Sequence, residues 1–247
     1  MERWVNRVAV VTGASSGIGA ACCKDLVAKG MIVVGLARRQ ERMDAFKMSL
    51  PVVQQVRFHA LRCDVSNEED IHNAFEWVEK ELGGVDVLIN NAGIFRSTEI
   101  VAENNTADLR ATVNVNILGV AFCTREAFQS MKKRGVDGHV VIINSVAGHR
   151  VPHAPGFRFN IYPPTKYAVT AMTEVLRQEF LLYETKIKIT SISPGAVDTE
   201  IIPDDFKSKL VMLRSEDISD AVVYCLQTPP TVQIHEMTIQ PIGQMMA

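Results

Sequence analysis

The stretch Val8-Ala9-Val10-Val11-Thr12-Gly13-Ala14-Ser15-Ser16-Gly17-Ile18-Gly19 decides the fold. Its apolar run, rich in β-branched residues, predicts a strand buried on both faces, and the glycine cluster predicts a tight turn into a helix. Glycines let the backbone come close to a pyrophosphate, while the free N–H groups and dipole of a helix start favour its negative charge. The spacing is G-x-x-x-G-x-G and not G-x-G-x-x-G. Nucleotide binding therefore rests on the strand, turn and helix around it, with a purely structural turn as the alternative.

Similar apolar runs recur at residues 31–36, 56–61, 85–89, 139–143 and 187–192, with a shorter one at 237–239. Segments of helical period separate them. Ser66 with Glu69 predicts a capping box. Leu109, Val113, Ile117, Val120, Phe128 and Met131 form one apolar stripe; Val169, Met172, Leu176 and Phe180 form another. Alternating strands and helices predict an α/β fold, a doubly wound parallel sheet of Rossmann type with helices on both faces. Ligands then bind beyond the carboxyl ends of the strands. The loops at 93–105, 146–161 and 196–212 follow strands and are expected to surround one cleft.

The chain has 247 residues, 47% of them apolar, enough for a single domain spanning 1–247. Its 26 basic and 28 acidic residues leave a net charge of −2, and no Lys/Arg run exceeds Lys132-Lys133-Arg134. This argues against a nucleic-acid or anionic-membrane surface. Five cysteines, Cys22, Cys23, Cys63, Cys123 and Cys225, form no CxxC pair and read as reduced core thiols. With no signal peptide or membrane-length apolar run, a cytoplasmic protein is the expectation. No metal site is expected.

The second strand ends Gly35-Leu36-Ala37-Arg38-Arg39, where an NAD site usually carries an acid for the ribose hydroxyls. Two arginines there suit a ribose 2′-phosphate and point to NADP; the alternative is the solvated start of a helix.

Taken with Asn90-Asn91-Ala92-Gly93, Ser145, and Tyr162 four residues before Lys166, these features resemble the short-chain dehydrogenase/reductase family over essentially the whole chain. Within it the chain resembles the insect farnesol dehydrogenase-like branch and vertebrate members acting on steroids and other lipophilic carbonyls. The resemblance implies a catalytic tetrad of Asn116, Ser145, Tyr162 and Lys166. Tyr162 would be the general acid/base, Ser145 would bond the substrate oxygen, and Lys166 would favour the phenolate. Asn116 would keep a water that relays protons from Lys166. The dinucleotide would meet Gly13, Ser15, Ser16, Gly17, Ile18 and Gly19 at its phosphates, and Arg38 and Arg39 at the 2′-phosphate. Asp64 and Val65 would bracket the adenine. Asn90, beside Ala92 and Gly93, would tie adjacent strands while lying against the cofactor. Pro194, Gly195, Val197 and Thr199 would hold the nicotinamide carboxamide, with Tyr162 and Lys166 beside it. A homodimer or homotetramer pairing the helices around residues 109–131 and 166–180 is also implied.

Pro163 and Pro164, between Tyr162 and Lys166, fit the first turn of a helix, where a missing N–H forfeits no bond. A residue before proline is pushed from the α region, so Tyr162 is expected at or just before the helix start, extended or helical. The 17 positions from Ser145 to Tyr162 exceed the family's usual spacing, and the extra loop at 149–160 is expected to wall the pocket. Ile94, Phe95, Phe157, Phe159, Ile201, Ile202 and Phe206 supply apolar surface for a lipophilic alcohol or carbonyl, farnesol being the first choice on the resemblance. Arg96, Arg150 and Arg158 read as surface arginines with an anion clamp as the alternative. His149 and His153 read as solvated, with substrate contact as the alternative. The competing readings are an NADPH-dependent carbonyl reductase or hydroxysteroid dehydrogenase, and a non-catalytic NADP-binding sensor.

Overall fold

The computed structural model describes residues 1–152 and 156–243. Seven strands, β1 (Val8–Thr12), β2 (Ile32–Ala37), β3 (Phe58–Arg62), β4 (Val87–Asn90), β5 (His139–Ile143), β6 (Lys188–Pro194) and β7 (Glu236–Ile239), form one sheet. Their order is β3-β2-β1-β4-β5-β6-β7, and every neighbouring pair is parallel. The order reverses between β1 and β4, which opens a crevice at their carboxyl ends, the place where such sheets bind ligands.

The central strands β1, β5 and β6 are buried at every residue, whereas the edge strands β3 and β7 are partly exposed. That is why the inner strands are continuous apolar runs without polar alternation. The strand period still divides the two sides. Ala9, Val11, Val87, Ile89, Val141 and Ile143 join one core, while Val8, Val10, Leu88, Val140 and Ile142 join the other. The first core is closed by α1 (Gly17–Ala28), α2 (Gln40–Ser49) and α9 (Ser215–Gln227) through Leu26, Met43 and Val222. The second is closed by α4 (Glu68–Leu82), α6 (Val120–Arg134) and α7 (Tyr162–Leu182) through Phe75, Met131 and Val169. The remaining helices are α3 (Val52–Gln55), α5 (Thr106–Val113) and α8 (Asp204–Lys207). All five cysteines are buried free thiols.

Three expectations need correction. The third strand begins at Phe58 because Pro51 starts α3, which leaves Val52, Val53 and Val56 exposed. The start of α4 is capped by Asn67, whose side chain accepts from the Glu69 N–H; Ser66 instead bonds the Asp64 carboxylate. The stripe from Leu109 to Met131 is not one α-helix. A π segment at Asn114–Gly119 joins α5 to α6 and turns Val115, Asn116 and Gly119 inward. Such segments hold one extra residue per turn and often sit at functional sites.

Candidate active site

The phosphate turn is built by contact between the ends of β1 and β4. Thr12 Oγ1 accepts from the N–H groups of Asn91 and Ala92, each at 3.0 Å, and the Asn91 amide donates to the Thr12 and Gly13 carbonyls at 2.9 and 3.3 Å. Gly13 has φ of +68°, and a Cβ on Gly19 would lie 2.3 Å from the Gly13 carbonyl. Side chains at these two positions would push turn and helix apart. Asn90, expected to tie the strands, is buried and donates to Thr124 on α6 at 2.8 Å. The cross-strand tie belongs to its neighbour Asn91.

A cleft of about 880 Å³ runs from this turn to the loops beyond β4, β5 and β6. Gly13, Ser15, Ser16, Gly17, Ile18, Arg38, Arg39, Asp64, Val65, Ala92 and Gly93 border one end. Pro194, Gly195, Val197, Thr199, Ser145, Tyr162 and Lys166 border the middle. Ile94, Phe95, Phe157, Phe159, Ile201, Ile202 and Phe206 border the rest. Gly19, Asn90 and Asn116 stand behind the wall. The glycine turn, its open helix start and the arginines beside it are donors of the kind a dinucleotide's phosphates take, so the residues present fit such a group.

At the polar end, Arg39 reaches Ser15 Oγ at 3.1 Å and Ser16 Oγ at 3.0 Å, whereas Arg38 is exposed. Arg39 also donates to Glu200 at 2.8 Å. Glu200 was not among the residues expected here. Its arginine partners lie far away in sequence, so no local pattern marks it. The Asp64 carboxylate accepts from the Ser66 N–H at 3.0 Å and hydroxyl at 2.7 Å, closing the turn after β3.

At the reactive end, α7 begins at Tyr162 with both prolines in its first turn. The Tyr162 N–H bonds the Phe159 carbonyl at 3.1 Å, and the next N–H, on Thr165, bonds Ile161 at 3.0 Å. Pro163 and Pro164 remove the two donors between them. The helix start therefore needs no side-chain cap, and Tyr162 is helical despite preceding a proline. The Thr165 hydroxyl donates to the Tyr162 carbonyl at 2.7 Å, and the Asn116 amide donates to Thr165 Oγ1 at 3.2 Å. That same Asn116 side chain accepts from the Ile94 N–H at 2.9 Å and donates to the Ile94 carbonyl at 3.0 Å. The π segment thus fastens the loop after β4 to the first turn of α7.

Lys166 is buried, its ammonium donating to the Ile143 carbonyl at 3.0 Å and lying 5.7 Å from the Tyr162 ring centre. Burial lowers the Lys166 ammonium to about 8. Burial also pushes the Tyr162 phenol up to about 12, against a smaller lowering by its hydrogen bond with Ser145. Ser145 Oγ further accepts from the Ala147 N–H at 3.1 Å.

Four phenylalanines from the three loops enclose the far side. The Phe157 ring lies 5.0 Å from Phe95, 4.6 Å from Phe159 and 4.6 Å from Phe206, centre to centre. Phe95 in turn meets the Tyr162 ring edge-on at 5.6 Å. Arg96 and Arg150 border the cleft but are exposed, and Arg158 pairs with Glu99 at 2.7 Å. His149 is solvent-exposed and does not border the cleft; its Nε2 contacts Ser193 Oγ at 3.0 Å and Glu236 at 3.2 Å. His153 lies outside the described residues. Among the described residues no group of three or more His, Cys, Asp or Glu is placed to hold a metal, and no helix is long and apolar enough to cross a membrane.

A doubly wound sheet with a glycine-rich turn at its switch point and a tyrosine and lysine beside it is an arrangement that suits dinucleotide-dependent oxidoreductases. Residues 7–209 match the family model described as short chain dehydrogenase, and the chain belongs to that family. It is 56% identical to a farnesol dehydrogenase of Aedes aegypti, over 99% of both chains. It is 43% identical to dehydrogenase/reductase SDR family member 11 of Mus musculus, over 99% of this chain and 97% of the other. Among solved structures it is similar to an alcohol dehydrogenase from the archaeon Thermococcus sibiricus complexed with 5-hydroxy-NADP. The TM-score is 0.84 at 27% identity, covering 97% of this chain and 98% of that one.

Proposed function

We propose that this protein is an NADP-dependent dehydrogenase of lipophilic alcohols, farnesol to farnesal first among them, acting as a single domain in the cytoplasm. The observation that carries the reading is the position of Tyr162. Its hydroxyl meets Ser145, while its ring forms one side of the phenylalanine box. A long apolar alcohol can therefore bury its chain against Phe95, Phe157 and Phe206 with its oxygen delivered to the phenol. The farnesol dehydrogenase relative and the Arg39 contacts at the phosphate turn support the substrate and cofactor choices. The buried free cysteines support the compartment.

Bound NADP supplies the acceptor for the substrate's hydride. Gly13 to Gly19 with Arg38 and Arg39 would hold its phosphates, Asp64 and Val65 its adenine, and Pro194, Gly195, Val197 and Thr199 its carboxamide. Ser145 bonds the substrate oxygen, and Tyr162 takes the proton that leaves the hydroxyl. A charged Lys166 favours the phenolate, and Asn116 holds the first turn of α7 in register and serves the relay of protons to solvent. A homodimer or homotetramer is part of the proposal, with Tyr167, Val175 and Leu182 on α7 and Leu118 in the π segment as exposed apolar residues to cover.

One observation favours the opposite direction as a second reading. A phenol at about 12 is protonated at neutral pH and ready to donate to a carbonyl oxygen, as a carbonyl reductase or hydroxysteroid dehydrogenase requires. The test measures NADPH formation with farnesol, a steroid alcohol and a short aliphatic alcohol at equal concentration, with Tyr162→Phe as control. Selective turnover of farnesol, lost in the variant while NADP binding persists, is expected. Preference for the steroid, or reduction with little oxidation, replaces the first reading with the second.

A further inference from the structure

One polar feature bordering the cleft has no part in the chemistry above. Glu200, one residue beyond Thr199, accepts through Oε2 from Arg39 at 2.8 Å and from the Ser16 hydroxyl at 3.3 Å, and through Oε1 from Arg42. Arg39 spends its other donors on Ser15 and Ser16. A carboxylate gripped by two guanidinium groups and a serine beside a helix start has the surroundings that a phosphate monoester takes.

We propose that Glu200 is a specificity-determining residue for the cofactor: an internal anion that holds Arg39 and Arg42 and exchanges places with the ribose 2′-phosphate. This rests on the NADP reading above. The side chains of Arg39, Arg42 and Glu200 are 39, 45 and 52% exposed, so water and salt weaken each link. A phosphate brings more charge and three acceptor oxygens to the same donors, and it wins the exchange. An unphosphorylated ribose brings neither and leaves Glu200 in place.

The exchange reaches the substrate pocket because Glu200 lies in the loop at 196–212. Thr199 on one side packs near Gly17, and Ile201 and Ile202 on the other border the cleft. Release of the carboxylate frees the start of that loop, so the loop that carries the pocket wall loosens for NADP and stays tethered for NAD.

The experiment uses calorimetric titration of the full chain with 2′,5′-ADP and with 5′-AMP, which carry the adenosine end alone. The wild type is expected to prefer 2′,5′-ADP. Glu200→Gln, a surface change that keeps the shape, is expected to bind 2′,5′-ADP about fivefold more tightly, the scale of an exposed ion pair, and 5′-AMP within about twofold. Amide exchange at residues 198–203 is expected to rise on adding 2′,5′-ADP to the wild type and to start high in the variant. If the wild type prefers 2′,5′-ADP and Glu200→Gln binds it equally or more weakly, this proposal falls and the NADP reading stands. If the wild type shows no preference, the NADP reading falls and takes the proposal with it.

Discussion

The ammonium of Lys166 lies 5.7 Å from the centre of the Tyr162 ring, both groups bordering the cleft from the start of α7, one turn apart. Burial works against charge on either one, with the phenol near 12 and the ammonium near 8. Difference absorbance in a rapid alkaline pH jump, wild type minus Tyr162→Phe, is expected to show one phenol titrating near pH 12. A midpoint at or below the free value of about 10 would mean that burial does not govern the site.

The two prolines make a paired prediction. Pro163 is buried and Pro164 exposed. Pro164→Ala frees an N–H that water can satisfy and costs about 0.4–1 kcal/mol, mostly through the unfolded chain. Pro163→Ala leaves a buried N–H without an acceptor and costs about 1–3 kcal/mol. Urea unfolding of both variants tests the order, and equal losses would refute the account of the uncapped helix start.

Cofactor choice distinguishes the adjacent arginines. Arg39 contacts both serines of the glycine-rich turn, while Arg38 borders the cleft but is exposed. Arg39→Ala is expected to weaken NADP binding about tenfold and NAD binding little, by loss of one charge-assisted contact. A larger loss from Arg38→Ala would reverse the assignment.

Phe157 touches three other phenylalanines, one from each of the other two loops and one beside it in its own. Phe157→Ala is expected to raise KM for a long apolar alcohol about tenfold through lost apolar burial, leaving a short alcohol unaffected. Steady-state kinetics with the two alcohols decides it; a parallel loss for both would point to a general collapse of the loops.

Far from the cleft, His139 predicts acid sensitivity. Its Nε2 lies 2.8 Å from Thr190 Oγ1, whose own proton goes to the Ile234 carbonyl, so Nε2 carries the hydrogen. Nδ1 is buried without a partner. Burial, with Lys188 and Arg3 nearby, lowers this imidazole from 6.5 to about 3. The unfolded chain then binds a proton that the fold does not, so this stability is full above pH 6.5 and is lost as pH falls toward 3. The slope is about 1.4 kcal/mol per pH unit, and His139→Asn should lack it. An unchanged slope in urea titrations from pH 6 to 4 would contradict the buried neutral ring.

The sheet was legible because its inner strands are buried on both faces and therefore spell uninterrupted apolar runs. The misplaced start of β3 came from the same rule: Val56 reads as the head of the apolar run at 56–61 but lies exposed just after the short helix α3. Positions around the cleft were legible where local chemistry marks them, as with the glycine turn and the Tyr162 to Lys166 spacing. Asn67 won the helix cap over Ser66 because Asp64 engages the serine first. Glu200 was invisible because its meaning depends on Arg39 and Arg42, brought close only by the order of the strands.

The helical rod from Thr106 to Arg134 carries a dislocation at Asn114–Gly119. Deleting one residue there would let the bonding close into unbroken α-helix and swing everything upstream by about 100° around the axis. The rod would become more regular by itself, and Asn116 would lose Ile94 and Thr165 together. Local order and the tie between loop and helix make opposite demands on this turn, and a redesign that optimised the helix alone would unfasten the candidate site.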